Sequence, residues 1–72
     1  MSFAYDNLWR ILEERNMKKE DLRKATGISS ATLAKLGKNE NINMQSLEKI
    51  CIALECDIGD IVKCKYDKEE KI

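Results

Sequence analysis

Six basic side chains, Lys18, Lys19, Arg23, Lys24, Lys35 and Lys38, fall between residues 18 and 39. Only Glu20 and Asp21 stand against them, so this stretch carries a local net charge of +4. Residues 1–17 carry −1 and residues 40–72 carry −3, leaving the whole chain neutral. An asymmetry of this kind can direct one face toward a phosphate backbone, although charge alone is read more plainly as a solvated helix surface. Inside the basic island, Ser29, Ser30, Ala31, Ala34 and Lys35 are small, polar or basic. Such residues let a protein backbone come close to the polar edges of a partner, and their hydroxyl and ammonium groups suit phosphate oxygens.

The remaining reactive groups argue against catalysis. The chain has no histidine, the usual general base and the commonest metal ligand. It has no glycine-rich phosphate loop. Its carboxylates fall at helix starts and on solvent faces, where charge–dipole and solubility roles suffice. The three cysteines, Cys51, Cys56 and Cys64, are odd in number and follow a C-x4-C-x7-C spacing that matches no common zinc pattern. They read first as small apolar residues, with a redox or metal-sensing role as the second reading. No enzyme activity, metal, cofactor or small-molecule ligand is therefore expected.

With 72 residues, no proline and three glycines, the chain suits one helical domain with short connections and a limited core. Its apolar runs are too short to span a membrane and its start lacks a basic-then-apolar leader, so a cytoplasmic location is expected. Asp6 is expected to cap a first helix of about ten residues, running to Arg15 or Asn16 with Leu8, Ile11 and Leu12 inward. Trp9 sits beside that stripe. A second helix covers about Lys18 or Lys19 to Thr26, with Leu22 and Ala25 as its inward pair, and Gly27 ends it in a left-handed conformation. Ile28 then staples, and Ser29 caps, a third helix over about Ser30–Leu36 with Leu33 and Leu36 inward. After a polar loop, Asn43 caps a fourth helix from Met44 to Leu54 or Glu55, on which Leu47, Ile50, Cys51 and Leu54 make an i, i+3, i+4, i+7 stripe. Asp57 and Asp60 resemble a capping box opening a short fifth helix to about Val62. Alternation over residues 62–66 suggests a strand whose partner is Ser2–Tyr5, the same tail of a second copy, or both. Residues 67–72 read as a frayed charged end.

Two short helices joined by a tight glycine turn form a helix-turn-helix, which leaves the polar face of its second helix jutting outward. The run Lys19–Leu36, with Leu22, Gly27, Ile28, Leu33 and Leu36 in register, resembles the phage repressor/Cro-type (XRE-like) helix-turn-helix family. The flanking "NMQSLEKICIALECDIGDIV" is similar to the family's fourth helix and its short successor, so the resemblance covers about residues 6–62. The longer run "MKKEDLRKATGISSATLAKLGKNENINMQSLEKICIAL" looks especially like small stand-alone regulators.

The resemblance implies an all-α, five-helix repressor-like DNA-binding domain spanning residues 1–72, with a core over 6–62 and a tail over 63–72. Short strands at the termini fit beside it. It implies a sequence-specific transcriptional regulator, a repressor acting on double-stranded DNA as a homodimer. It also implies site residues: Ser29, Ser30, Ala31, Ala34 and Lys35 face base edges or nearby phosphates, Lys19 touches the groove edge, and Lys38, Asn39 and Asn43 contact phosphates.

Four departures from the family pattern carry consequences. Lys18 stands where the family often has a capping serine or threonine, at a cost of about 1 kcal/mol. Arg23 replaces a small buried alanine and must snorkel outward, toward solvent or phosphate. The family's common glutamine is missing at Lys19. The third helix also lacks the asparagine, glutamine or arginine that would read a base in bidentate fashion, which makes a two-fold assembly the expected source of specificity. An antitoxin-like or adaptor module on the same fold is the alternative, with Phe3, Tyr5, Trp9 and Tyr66 as its exposed contact surface.

Overall fold

Each helix in the chain stops at a residue with positive φ or at a change of apolar period, and those stops set the element order. The computed structural model describes residues 2–66. Strand β1 (Ser2–Ala4) leads into helices α1 (Asp6–Glu14), α2 (Lys19–Thr26), α3 (Ser30–Gly37), α4 (Met44–Leu54) and α5 (Ile58–Ile61), and strand β2 (Lys63–Lys65) closes the described chain. The charged end expected over residues 67–72 lies outside the described residues.

Left-handed residues end four of the helices. Gly27 has φ 75° after α2, and its N–H closes on the Arg23 carbonyl at 2.9 Å. Asn16, Asn39 and Glu55, with φ of 56°, 56° and 53°, end α1, α3 and α4. Each of these three builds a Schellman motif, in which the next residue donates back to a carbonyl in the last turn: Met17 to Leu12, Glu40 to Lys35 and Cys56 to Cys51. Asn16 and Gly27 were legible as stops. Glu55 was not, because a left-handed glutamate costs about 1–2 kcal/mol and is supported here by the motif it closes.

Every helix contributes to one core. Leu8 and Leu12 enter it from α1, Leu22 from α2, Leu36 from α3, Leu47, Ile50 and Leu54 from α4, and Ile61 from α5. Ile28, in the turn between α2 and α3, is buried among them. Cys51, expected within the core, is only half-buried and packs against its edge. Ala25, expected inward on α2, is exposed. The inward row of α2 instead runs from Leu22 to Thr26, whose hydroxyl donates to the Leu22 carbonyl at 2.8 Å. That bond gives the hydroxyl of the half-buried Thr26 its partner.

Asp6 does not cap α1 as expected. The helix boundary is Tyr5, which offers no side-chain cap, and Asp6 lies in the first turn, where its charge still favours the positive end of the helix. Tyr5 itself, expected at an exposed surface, is 1% exposed. Its hydroxyl donates to the Glu40 carbonyl at 2.8 Å, which gives a buried phenol its partner. The tail strand finds its partner within the chain: β2 pairs antiparallel with β1 in the register Ser2↔Lys65, Phe3↔Cys64, Ala4↔Lys63.

Tyr5→Phe is expected to lower unfolding free energy by about 1 kcal/mol, the net worth of one neutral hydrogen bond. Burial pushes the Tyr5 hydroxyl above its ordinary value. The folded state then keeps a proton that the unfolded chain releases, so this stabilisation is full below the ordinary tyrosine range and is lost as pH rises through the folded value. Urea titrations at neutral and alkaline pH check both points. A Phe variant whose stability falls with alkaline pH as steeply as the parent's would refute the link to Tyr5.

Candidate nucleic-acid interface

The turn between α2 and α3 sets the direction of α3. Gly27 reverses the chain, Ile28 plugs into the core at 4% exposure, and Ser29 starts the next helix. The Ser29 hydroxyl accepts the Thr32 N–H at 3.1 Å and donates to the Thr32 hydroxyl at 3.0 Å. Leu36 is fully buried on the inner side of α3, and Leu33 and Thr32 are half-buried beside it. Ser30, Ala31, Ala34 and Lys35 are all exposed. Eight residues of helix are about 12 Å long, and a helix with side chains is about 10–12 Å wide, dimensions that fit a DNA major groove.

All nine residues expected to contact a partner are exposed. Ser30, Ala31, Ala34 and Lys35, at spacings i, i+1, i+4 and i+5, share the outer side of α3, and Lys38 and Asn39 follow after its end. Three of the nine have side-chain oxygens already committed within the fold. Ser29 caps α3. Asn43 caps α4 by accepting the Ser46 N–H at 2.7 Å. The Asn39 amide oxygen accepts the Tyr5 N–H at 3.3 Å, so the loop after α3 is fastened to the start of α1 by two bonds from Tyr5. The side-chain amides of Asn39 and Asn43 keep their N–H groups for an outside acceptor.

The basic island persists as a surface. Lys18, Lys19, Lys24, Lys35 and Lys38 are exposed, and none forms an ion pair among the described residues. Arg23 differs: its guanidinium is bound to Glu20 one turn earlier on α2. The hydrogen bond from Arg23 holds the Glu20 carboxyl below its usual range, and the same bond raises Arg23. The snorkelling arginine therefore answers a carboxylate of its own helix. At Lys18 the ammonium offers no acceptor, yet its backbone N–H donates to Asp21 at 2.8 Å, so half of a capping box survives.

Sequence reasoning did not couple Lys19 to Trp9. The Lys19 ammonium stands 4.5 Å from the centre of the Trp9 ring, a cation–π contact that joins the start of α2 to α1. At an exposed site such a contact is worth about 0.5–1 kcal/mol. A lysine followed by a helix, with an aromatic ten residues upstream, is too ordinary a pattern to have revealed it. Trp9 is the chain's one tryptophan. Its fluorescence should therefore change when double-stranded DNA draws Lys19 away, and Lys19→Met should abolish the change. An equal response in that variant would separate Trp9 from the interface.

Comparison with known proteins agrees with this geometry. The profile of a family described as the Cro/C1-type helix-turn-helix DNA-binding domain matches residues 7–67. The HTH-type transcriptional regulator YozG of Bacillus subtilis (strain 168) is 38% identical over 65 residues, which cover 88% of this chain and 77% of that protein. The crystal structure of the transcriptional regulator VanUg superposes with a TM-score of 0.84 at 50% identity, covering 86% of this chain and 83% of that one.

Proposed function

The chain belongs to the Cro/C1-type helix-turn-helix DNA-binding family of transcriptional regulators, and on that premise we propose that it is a repressor acting as a homodimer through α3 in the major groove. The observation that carries the reading is the outer side of α3. It is small, polar and basic over its whole length, and Leu36 seats the opposite side in the core. Ser30, Ala31 and Ala34 allow close approach, Lys35 reaches a base or a phosphate, and Ser29, Lys19, Lys38, Asn39 and Asn43 hold the register on the backbone. Such a regulator works where the DNA is, in the cytoplasm.

Two copies supply what one α3 lacks. Short side chains discriminate bases weakly, and a two-fold pair reads two half-sites together. The β1–β2 ladder satisfies the tail within the chain, which moves the proposed self-contact to α4 and α5. There Met44, Ile52 and Ile58 are 69%, 70% and 41% exposed, on the helices that follow the interface. Sedimentation over a concentration series should give a dimer that Ile52→Lys splits. A monomer throughout would remove the homodimer from this reading.

Selection from random double-stranded DNA tests the operator. The enriched sequences should contain two inverted half-sites about 10–10.5 base pairs apart, centre to centre. A promoter carrying that site should lose transcription when the protein is added. Enrichment of single half-sites would remove the dimer, and raised transcription would remove the repressor.

A further inference from the structure

The Schellman motif at the end of α4 brings two cysteines together. In such a motif the side chain three positions before the helix end commonly packs on the one just past the left-handed residue. Here those positions are Cys51 and Cys56. The Cys56 N–H donates to the Cys51 carbonyl at 3.0 Å, across the left-handed Glu55. Given standard bond lengths, a backbone bond this short keeps the two Cα atoms within about 6–7 Å, near the separation a disulfide spans. Both residues are half-buried, and both line one solvent-open cavity with Glu55, Asp57 and Asp60. Cys64, by contrast, is exposed on β2 opposite Phe3.

From this juxtaposition we infer that Cys51 and Cys56 form a reversible dithiol–disulfide couple, oxidised by thiol–disulfide exchange with a low-molecular-weight disulfide. Burial pushes both thiols above their ordinary value, and a hydrogen bond from the Cys56 thiol eases ionisation of Cys51. Either cysteine can serve as the attacking thiolate, Cys51 for instance. It forms a bond to one sulfur of the small disulfide and expels the other as a thiolate. Cys56, once deprotonated, attacks the Cys51 sulfur of the mixed disulfide and expels the second small thiolate. In total the protein gives up two electrons and two protons, and one small disulfide becomes two small thiols. The ring closed is short and its sulfurs are open to solvent through the cavity, features of readily reduced disulfides.

The test uses the full chain carrying Cys64→Ser, folded, in buffers of stepped oxidised-to-reduced glutathione ratio, followed by acid quench, alkylation and peptide mass mapping. The expected result is joint loss of both alkylation sites, a peptide link between residues 51 and 56 in a monomeric chain, and recovery of both sites with dithiothreitol. Adding Cys51→Ser or Cys56→Ser should abolish the link and leave the other thiol only as a mixed disulfide. Circular dichroism of each variant confirms that it is folded. Independent glutathionylation of the two thiols in the Cys64→Ser chain, crosslinks only between chains, or oxidation seen only after denaturation would each overturn the inference. None of these readouts involves DNA.

Discussion

Replacing Lys19 and Lys35 together by glutamate should weaken binding to double-stranded DNA by at least ~100-fold at about 0.1 M salt. Each lysine that neutralises a phosphate contributes about 0.9 to the slope of log affinity against log salt, or roughly tenfold in affinity at that concentration. Losing two such contacts multiplies the effect, and the new carboxylates add repulsion. The salt slope itself should become shallower by about two. The fold should survive, because both side chains are exposed. At Lys19, a glutamate forfeits the contact with Trp9, worth about 0.5–1 kcal/mol, but places a negative charge in the first turn of α2, worth about 0.3–1 kcal/mol. Lys63→Glu, on β2 and outside the basic island, is the control and should bind like the parent. Titrations at two salt concentrations decide the matter: equal affinity of the double variant and the parent would take α3 and the start of α2 out of the interface.

Much of the route to that surface could be read from residue order. Gly27, Ser29 and Asn43 announced their turns and caps because each has a local physical signature that needs no tertiary partner. Leu22, Leu36, Leu47, Ile50 and Leu54 reached the core for the same reason, since helical spacing alone puts them on one side. What was missed depends on partners distant along the chain. Tyr5 is buried because a carbonyl at residue 40 receives its hydroxyl, and nothing near Tyr5 forecasts that bond. Arg15 closes the end of α4 by donating to the Leu54 carbonyl at 2.8 Å, a contact between residues 39 apart.

The same distinction applies within the interface. Residue type identifies Ser29, Asn39 and Asn43 as hydrogen-bonding groups, but only geometry shows that their oxygens serve the fold. In the proposed complex, Asn39 and Asn43 would contact DNA through the amide N–H groups that remain, whereas Ser29, whose hydroxyl both accepts from and donates to Thr32, would act through placement of α3. Alanine at Ser29 is expected to act through the cap, where loss of the serine costs about 1 kcal/mol. Alanine at Ser30, whose hydroxyl has no partner among the described residues, would report on the DNA contact alone.

Leu36→Ala should be the most damaging alanine substitution within α3. Leu36 is fully buried, and it alone among the residues of α3 is completely enclosed. Truncating a buried leucine costs about 2–5 kcal/mol, with the larger values where the cavity cannot collapse. A domain of this length holds only about 4–11 kcal/mol in total at ~0.05–0.15 kcal/mol per residue, so roughly half of the stability is at stake. Leu33, half-buried one turn earlier, has less apolar area to lose, and Leu33→Ala should cost less than Leu36→Ala. Urea unfolding checks the order: the midpoint should fall steeply for Leu36→Ala and modestly for Leu33→Ala, with the slope unchanged in both. Because Leu36 touches no DNA in this reading, its alanine variant should bind with near-parental affinity under conditions where it is mostly folded. A variant that stays well folded yet binds poorly would mean that Leu36 governs the angle of α3 rather than its anchorage, and the reverse order of the two leucines would mean that α3 is seated by its first turn.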